Sequence, residues 1–327
     1  MNLQEKINNV KNFIKDKKIA ISFSGGADST LIAYLAAQVS DNPIAITVDN
    51  KIMPEGFIDN ARKIASEFGL NHIILDIDFF KSDIILNNPN RCFLCRKSMY
   101  EEIRKVASEN SCEFIVDGTN LSDLIQDRPG ILINYENNIQ SPFVKAQLTS
   151  QEIHKYLDEN NIQYSKSTTC MATRLPFKTE VTKEEISKID SYEKFIKEVS
   201  GCDVVKVRKY YDSYVCEVND LNKITDANTL KHIYDRLNER NNKKILLNLS
   251  PIEDNERIII DYNEGAFQYK LPYNINIENT KKELEKNNIN TKLEIRKNGI
   301  VKGNNFNSYN QAINEFINIL PYIRRTV

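Results

Sequence analysis

The chain of 327 residues sets 44 lysines and arginines against 45 aspartates and glutamates, for a formal net charge of -1. That balance lacks the basic surplus that holds nucleic acid or an anionic membrane without specificity, so neither partner is expected. No apolar run nears the ~18 residues that span a bilayer, and the polar Met1–Lys6 start has no signal-peptide core, so the cytoplasm is the expected compartment.

The first half alternates strand-like and helix-like segments. Lys17–Phe23 is a short β-branched strand that runs into Ser24-Gly25-Gly26-Ala27-Asp28-Ser29 and then into an apolar-periodic helix from Asp28 to Val39. A strand over Pro43–Val48, a helix over Pro54–Phe68, a strand over His72–Ile77 and a helix over Lys97–Ser108 follow, and a fourth strand, Glu113–Asp117, leads into Gly118-Thr119-Asn120. Such alternation predicts βαβ units and a parallel sheet whose ligand sits at the carboxyl ends of the strands, where these motifs lie.

From about Thr149 the pattern changes. A helix over Gln151–Glu159 precedes the polar stretch Ser165–Thr169 and Cys170. A helix over Lys183–Glu198, strands at Asp203–Lys209 and Ser213–Val218, a helix over Ala227–Glu239 and a strand at Lys244–Leu249 predict a second, smaller α/β unit. Beyond Pro251 strands are expected at Arg257–Asp261, Phe267–Leu271 and Lys292–Arg296, with helices near Thr280–Lys286 and Tyr309–Ile319. The expected division is therefore residues 1–165, 166–250 and 251–327, the last an α+β extension whose mixed charge fits a solvated small domain.

Paired glycines between a strand and a helix let successive N–H groups converge on an anion, and the helix N-terminus adds its positive end. Ser24, Gly25, Gly26, Ser29 and Thr30 are the candidate phosphate contacts, with Asp28 beside the Mg²⁺ of a triphosphate. The Walker spacing and its lysine are missing. Six unevenly spaced cysteines do not make a disulfide framework. Cys92 and Cys95 form a CxxC, which points to metal, cluster or redox chemistry, while Cys112, Cys202 and Cys216 sit in or beside apolar stretches and read as core.

The hexapeptide resembles the SGGxDS loop of the PP-loop ATP pyrophosphatases, an adenine nucleotide alpha hydrolase-like α/β fold. The resemblance implies ATP cleavage between the α and β phosphates and transfer of AMP to a substrate oxygen. Asn90-Arg91-Cys92-Phe93-Leu94-Cys95-Arg96-Lys97, Asp117-Gly118-Thr119-Asn120 with Asp123, Arg128-Pro129-Gly130, Ser141-Pro142-Phe143 and the stretch from Thr168 to Phe177 resemble, in order, motifs of the LarE-type ATP-dependent sulfur transferases. That family converts carboxylates of a pyridinium mononucleotide to thiocarboxylates in nickel-pincer nucleotide synthesis.

The resemblance implies a 4Fe-4S cluster on Cys92, Cys95 and Cys170 with one iron open for an extra sulfide; in relatives lacking the CxxC, the equivalent of Cys170 gives up its own sulfur. Three thiolates with an open position suit sulfide delivery, whereas structural zinc wants four ligands and His72, His154 and His232 are not next to these motifs in sequence. By the same resemblance Val48, with Asp49 and Asn50, ends the strand that holds adenosine, Gly118 and Asn120 flank ATP, and Asp123 joins the magnesium shell. Arg174 and Arg208 are candidates for substrate phosphate or adenylate charge, Glu193 matches an acidic family position, and a sulfide or other sulfur donor and a homo-oligomer are implied. Lys206, Val215 and Asn248 depart from the family pattern, and the departures bear on the substrate rather than on ATP chemistry. A tRNA thiolase, or a non-catalytic nucleotide- or cluster-binding protein, are the competing readings.

Overall fold

The computed structural model describes residues 1–166, 169–238, 244–252 and 258–326. Helix α1 (Leu3–Ile14) starts on a capping box in which Asn2 and Glu5 each accept the other's backbone N–H at 2.9 Å. Then come β1 (Ile19–Ser22), α2 (Ala27–Val39), β2 (Ile44–Asp49), α3 (Phe57–Glu67), β3 (Asn71–Asp76), α4 (Arg91–Glu109) and β4 (Phe114–Val116). The four strands form one parallel sheet in the order β3-β2-β1-β4. Ile19-Ala20-Ile21 and Ile44 to Val48 are buried without interruption, as in strands covered on both faces by helices.

Helix α4 begins at Arg91, upstream of the expected Lys97. Cys92 and Cys95 therefore lie three positions apart near its start, on one helix face. The short helices α5 (Leu121–Leu124), α6 (Leu132–Glu136) and α7 (Pro142–Lys145) were not anticipated; α8 (Ser150–Glu159) was, and it opens on a Thr149–Glu152 capping box.

The second unit holds α9 (Lys183–Ser200), β5 (Val205–Tyr210), β6 (Ser213–Val218), α10 (Ala227–Asn238) and β7 (Lys244–Leu247). Its sheet runs β5-β6-β7, antiparallel then parallel. Ile189, Ile196, Val207 and Val218 centre a core that also takes in Ile52 and Phe79 from the first unit, so the two units share an apolar seam.

The third sheet is antiparallel, β10-β11-β9-β8, from β8 (Asp261–Asn263), β9 (Ala266–Lys270), α11 (Ile277–Lys286), β10 (Glu294–Ile295), β11 (Ile300–Gly303) and α12 (Tyr309–Ile319). Arg257, where a strand was expected to start, and Glu239, where a helix was expected to end, lie outside the described residues. The expected strand at Lys292–Arg296 shrinks to two residues, and its partner β11 was missed. Gly299 makes the turn between them at φ +87°, where an added Cβ would lie 2.5 Å from the Tyr273 carbonyl oxygen. The core of this unit, around Phe267, Leu271, Val301 and Phe316, incorporates Leu121, Leu124, Ile125 and Ile131 of the first unit. No described helix is long and apolar enough to cross a membrane.

Candidate active site

A cleft of about 630 Å³ opens at the carboxyl ends of β1, β2 and β4. Its floor is the glycine loop. Gly25 sits at φ +72° and its carbonyl accepts the Ser165 N–H at 2.7 Å, so the chain leaving α8 closes over the loop. The Ser24 and Ser29 hydroxyls stand 3.1 Å apart, Ser29 Oγ donates to the Gly26 carbonyl at 3.1 Å, and the Gly26 N–H donates to Ser24 Oγ at 3.4 Å. Gly118 must be glycine: a Cβ there would meet Asp28 Cβ at 2.7 Å and the Ser29 nitrogen at 2.9 Å. Thr30 does not join this surface; it is fully buried behind the loop and its hydroxyl finds no hydrogen-bond partner among the described residues.

Two carboxylates face the cleft, Asp123 buried and Asp28 half-buried. Burial first, and Asp123 second, push Asp28 up to about 7, and burial raises Asp123 as well. Asn120 Nδ2 donates to Asp28 Oδ1 at 3.0 Å, the Asn120 N–H donates to Asp123 Oδ2 at 3.0 Å, and Arg128 pairs with Asp123 at 2.5 Å. Two like-charged carboxylates partly held out of water suit a divalent cation, which would favour both ionised forms. Val48 also lines the cleft, past the end of the β1–β2 ladder, whose last bond runs from the Phe23 N–H to the Ile46 carbonyl at 2.9 Å.

Behind the cleft lies a polar hub the sequence did not reveal. Asp117 accepts from Arg96 Nη2 at 2.5 Å, Thr119 Oγ1 at 2.7 Å, Asn134 Nδ2 at 2.8 Å and Ser141 Oγ at 2.8 Å. The Ser141-Pro142-Phe143 motif thus serves Asp117. Arg96 and Tyr100 line the cleft from α4, and so does His154, whose Nδ1 donates to the Ser150 carbonyl at 2.9 Å. The only signal for Arg96 was its place inside the cysteine motif; His154 carried none.

The cysteines converge from two units. Cys92 and Cys95 stand on α4, and Cys170 begins a short helical turn, Met171–Arg174, whose first N–H donates to the Ile52 carbonyl at 2.8 Å. Burial, then the nearby Cys170 and Cys92, push the Cys95 thiol up to about 12, and burial raises Cys170. Asn50 lies near enough to Cys95 to temper that rise, and Arg91 Nη2 lies 3.3 Å from Cys92 Sγ. Among the described residues no three His, Cys, Asp or Glu side chains stand close enough to hold a metal ion directly. The donor set is all thiol, the ligand chemistry that an iron–sulfur cluster takes, and the charges of Cys92 and Cys170 are felt at Cys95. Thr168, in the same motif, lies outside the described residues.

Thr169, next to Cys170, lines the nucleotide cleft and accepts Arg174 Nη1 at 2.7 Å. Arg174 is 2% exposed and grips Glu193 through Nε–Oε1 at 2.7 Å and Nη2–Oε2 at 3.3 Å, while Glu193 also accepts the Val207 N–H at 2.8 Å. This buried pair joins the Cys170 turn to α9 and β5, so structural roles take up most of the bonding capacity of both residues. Arg208 reaches Glu217 at 2.8 Å and the Thr173 carbonyl at 2.7 Å, and with Arg91 and Arg174 lines a second cleft of about 490 Å³. Lys206 lines the nucleotide cleft and Val215 the second one, while the Asn248 side chain accepts the Ser250 N–H. Cys202 and Cys216 are buried in the second core and Cys112 packs on the first sheet.

The chain is similar to several known proteins. The PP-loop domain family matches residues 1–128. An uncharacterized protein of Methanocaldococcus jannaschii is 34% identical over 244 residues, covering 74% of this chain and 93% of its own. The pyridinium-3,5-bisthiocarboxylic acid mononucleotide synthase of Lactiplantibacillus plantarum is 27% identical over 205 residues, 61% of this chain and 74% of that one. The tRNA-specific 2-thiouridylase MnmA of Clostridioides difficile is 27% identical over 125 residues, 32% of this chain and 35% of its own. The family match over residues 1–128, with a relative matched over nearly its full length, makes this chain a member of the PP-loop family.

Proposed function

We propose that the protein is a cytoplasmic ATP-dependent sulfurtransferase that activates a carboxylate of a small nucleotide as its adenylate and replaces the activated oxygen by sulfur. The observation that carries the reading is continuity between the two chemical halves. β2 carries Val48 into the nucleotide cleft and, past its end, Asn50 near Cys95; Thr169 lines the same cleft and Cys170 follows it. The likeness to the thiocarboxylate-forming synthase supports a pyridinium dicarboxylate mononucleotide as substrate.

In this reading the loop N–H groups and the Ser24 and Ser29 hydroxyls hold the β and γ phosphates, and Asp28 with Asp123 would hold Mg²⁺. A substrate carboxylate oxygen bonds to the α-phosphorus as the bond to pyrophosphate breaks. A sulfur nucleophile then adds to the acyl carbon and AMP leaves with the bonding pair. A 4Fe-4S cluster, when held by Cys92, Cys95 and Cys170, supplies that sulfur from an external sulfide donor. Arg174, locked to Glu193, orients the Cys170 turn through Thr169, and Arg208 offers its guanidinium to the second cleft.

The test is pyrophosphate release by anaerobically prepared protein given ATP, Mg²⁺ and the dicarboxylate mononucleotide, with mass analysis of the product. Carboxylate-dependent pyrophosphate and a product carrying sulfur in place of oxygen are expected. Pyrophosphate release that ignores the carboxylate would sink the proposal. The thiolase reading predicts tRNA binding at micromolar concentration or tighter, against which the near-neutral charge stands.

A further inference from the structure

The C-terminal unit grips the arm that carries Asp123 and Arg128. Helix α5 has four residues, too few to hold a helix by themselves, so its geometry comes from its surroundings. At its front the Asn120–Asp123 capping box faces the cleft, and the Leu121 N–H donates to the Leu148 carbonyl at 2.9 Å. At its rear the Tyr273 hydroxyl, from the C-terminal unit, donates to the Leu124 carbonyl at 2.6 Å. Farther along, Asp127 accepts Arg325 Nη2 at 2.6 Å, and that guanidinium lies 4.7 Å from the centre of the Tyr273 ring. The segment between Asp123 and Arg128 is thus tied to the C-terminal unit at Leu124 and again at Asp127. Beneath it, Leu121, Leu124 and Ile125 are buried in the core of that unit.

We propose that Tyr273 and Arg325 are positioning residues of the metal–nucleotide site. Through Leu124 and Asp127 they hold Asp123 and Arg128 at the rim of the cleft, and the C-terminal unit is a built-in brace for it. The inference rests on the functional reading for one point only, that Asp123 faces Mg²⁺ and ATP. The apolar core alone would dock the unit without fixing the arm in detail. A hydrogen bond at the end of α5 and an ion pair just beyond it fix both ends of the linker to Arg128, which burial of leucines cannot do.

The test uses the full chain and a Tyr273→Phe/Asp127→Ala variant, which keeps the ring and the apolar core. In ligand-free protein, amide exchange over residues 121–128 is expected to rise at least about tenfold while α9 and α12 keep their protection. Mg²⁺–ATP affinity is expected to fall about tenfold, and metal-free ATP affinity by less than about twofold. Unchanged exchange at residues 121–128, or an even rise throughout the chain, would overturn the brace, as would equal losses with and without Mg²⁺. Wild-type protein that binds no ATP would refute the functional reading instead, and the exchange arm would still decide the brace.

Discussion

The loop at Ser24–Ser29 takes its shape from six consecutive residues, whereas the thiol face draws Cys92 and Cys95 from the first unit and Cys170 from the second. Most of the bonds that shape the loop stay within it, between Ser24, Gly26 and Ser29. The thiol face has no such local frame. It depends on the start of α4, on Asn50 and Ile52 after β2, and on the buried Arg174–Glu193 pair. A local loop is expected to survive damage to the seam between units, while the thiol face is expected to fail with it.

The largest predicted effect separates the two halves outright. Cys170→Ala should lower thiocarboxylate product by at least about 10³-fold while carboxylate-dependent ATP–pyrophosphate exchange stays within about twofold. Product formation by the variant would break the comparison, because the thiol face would then be dispensable. Arg174→Ala comes next: it leaves Glu193 buried without its partner and should cost about 3–5 kcal/mol in urea unfolding. A cost below about 1 kcal/mol would show that the thiol face does not rest on this pair.

Gly118→Ala probes the other region. Its methyl group would press on Asp28 and Ser29, and nucleotide affinity should fall about tenfold, with the alkylation rate of Cys92 unchanged. The smallest effect concerns pH. The ordinary value for Asp28 is 3.8 and burial lifts it to about 7 in the folded chain. Its contribution to stability is therefore fully present below 3.8 and is lost as pH rises through about 7. In EDTA, the melting temperature of Asp28→Asn should fall less over that window than that of the wild type.

The sequence carried the loop well because glycine pairs, a β-branched strand and a periodic helix are all local signals. Cys92, Cys95 and Cys170 could be picked out by type and spacing, but the start of α4 at Arg91 was signalled only by Asn90, a residue type that favours N-caps, and here its side chain makes no capping bond. Arg96 and His154 reach the nucleotide cleft only through tertiary placement, and Thr30, a plausible hydroxyl donor by position, is turned into the core by the helix period. β11 was missed because Ile300-Val301 is too short an apolar run to stand out. The grip of the C-terminal unit on Leu124 and Asp127 joins residues far apart in the chain, and no periodicity encodes it.

The most direct test of the central claim follows sulfur. Anaerobically prepared protein is given ATP, Mg²⁺, the dicarboxylate mononucleotide and isotopically heavy sulfide, and product and protein are weighed after one turnover. The account predicts heavy sulfur in the product and an intact Cys170. Light sulfur in the product with Cys170 converted to dehydroalanine would contradict it.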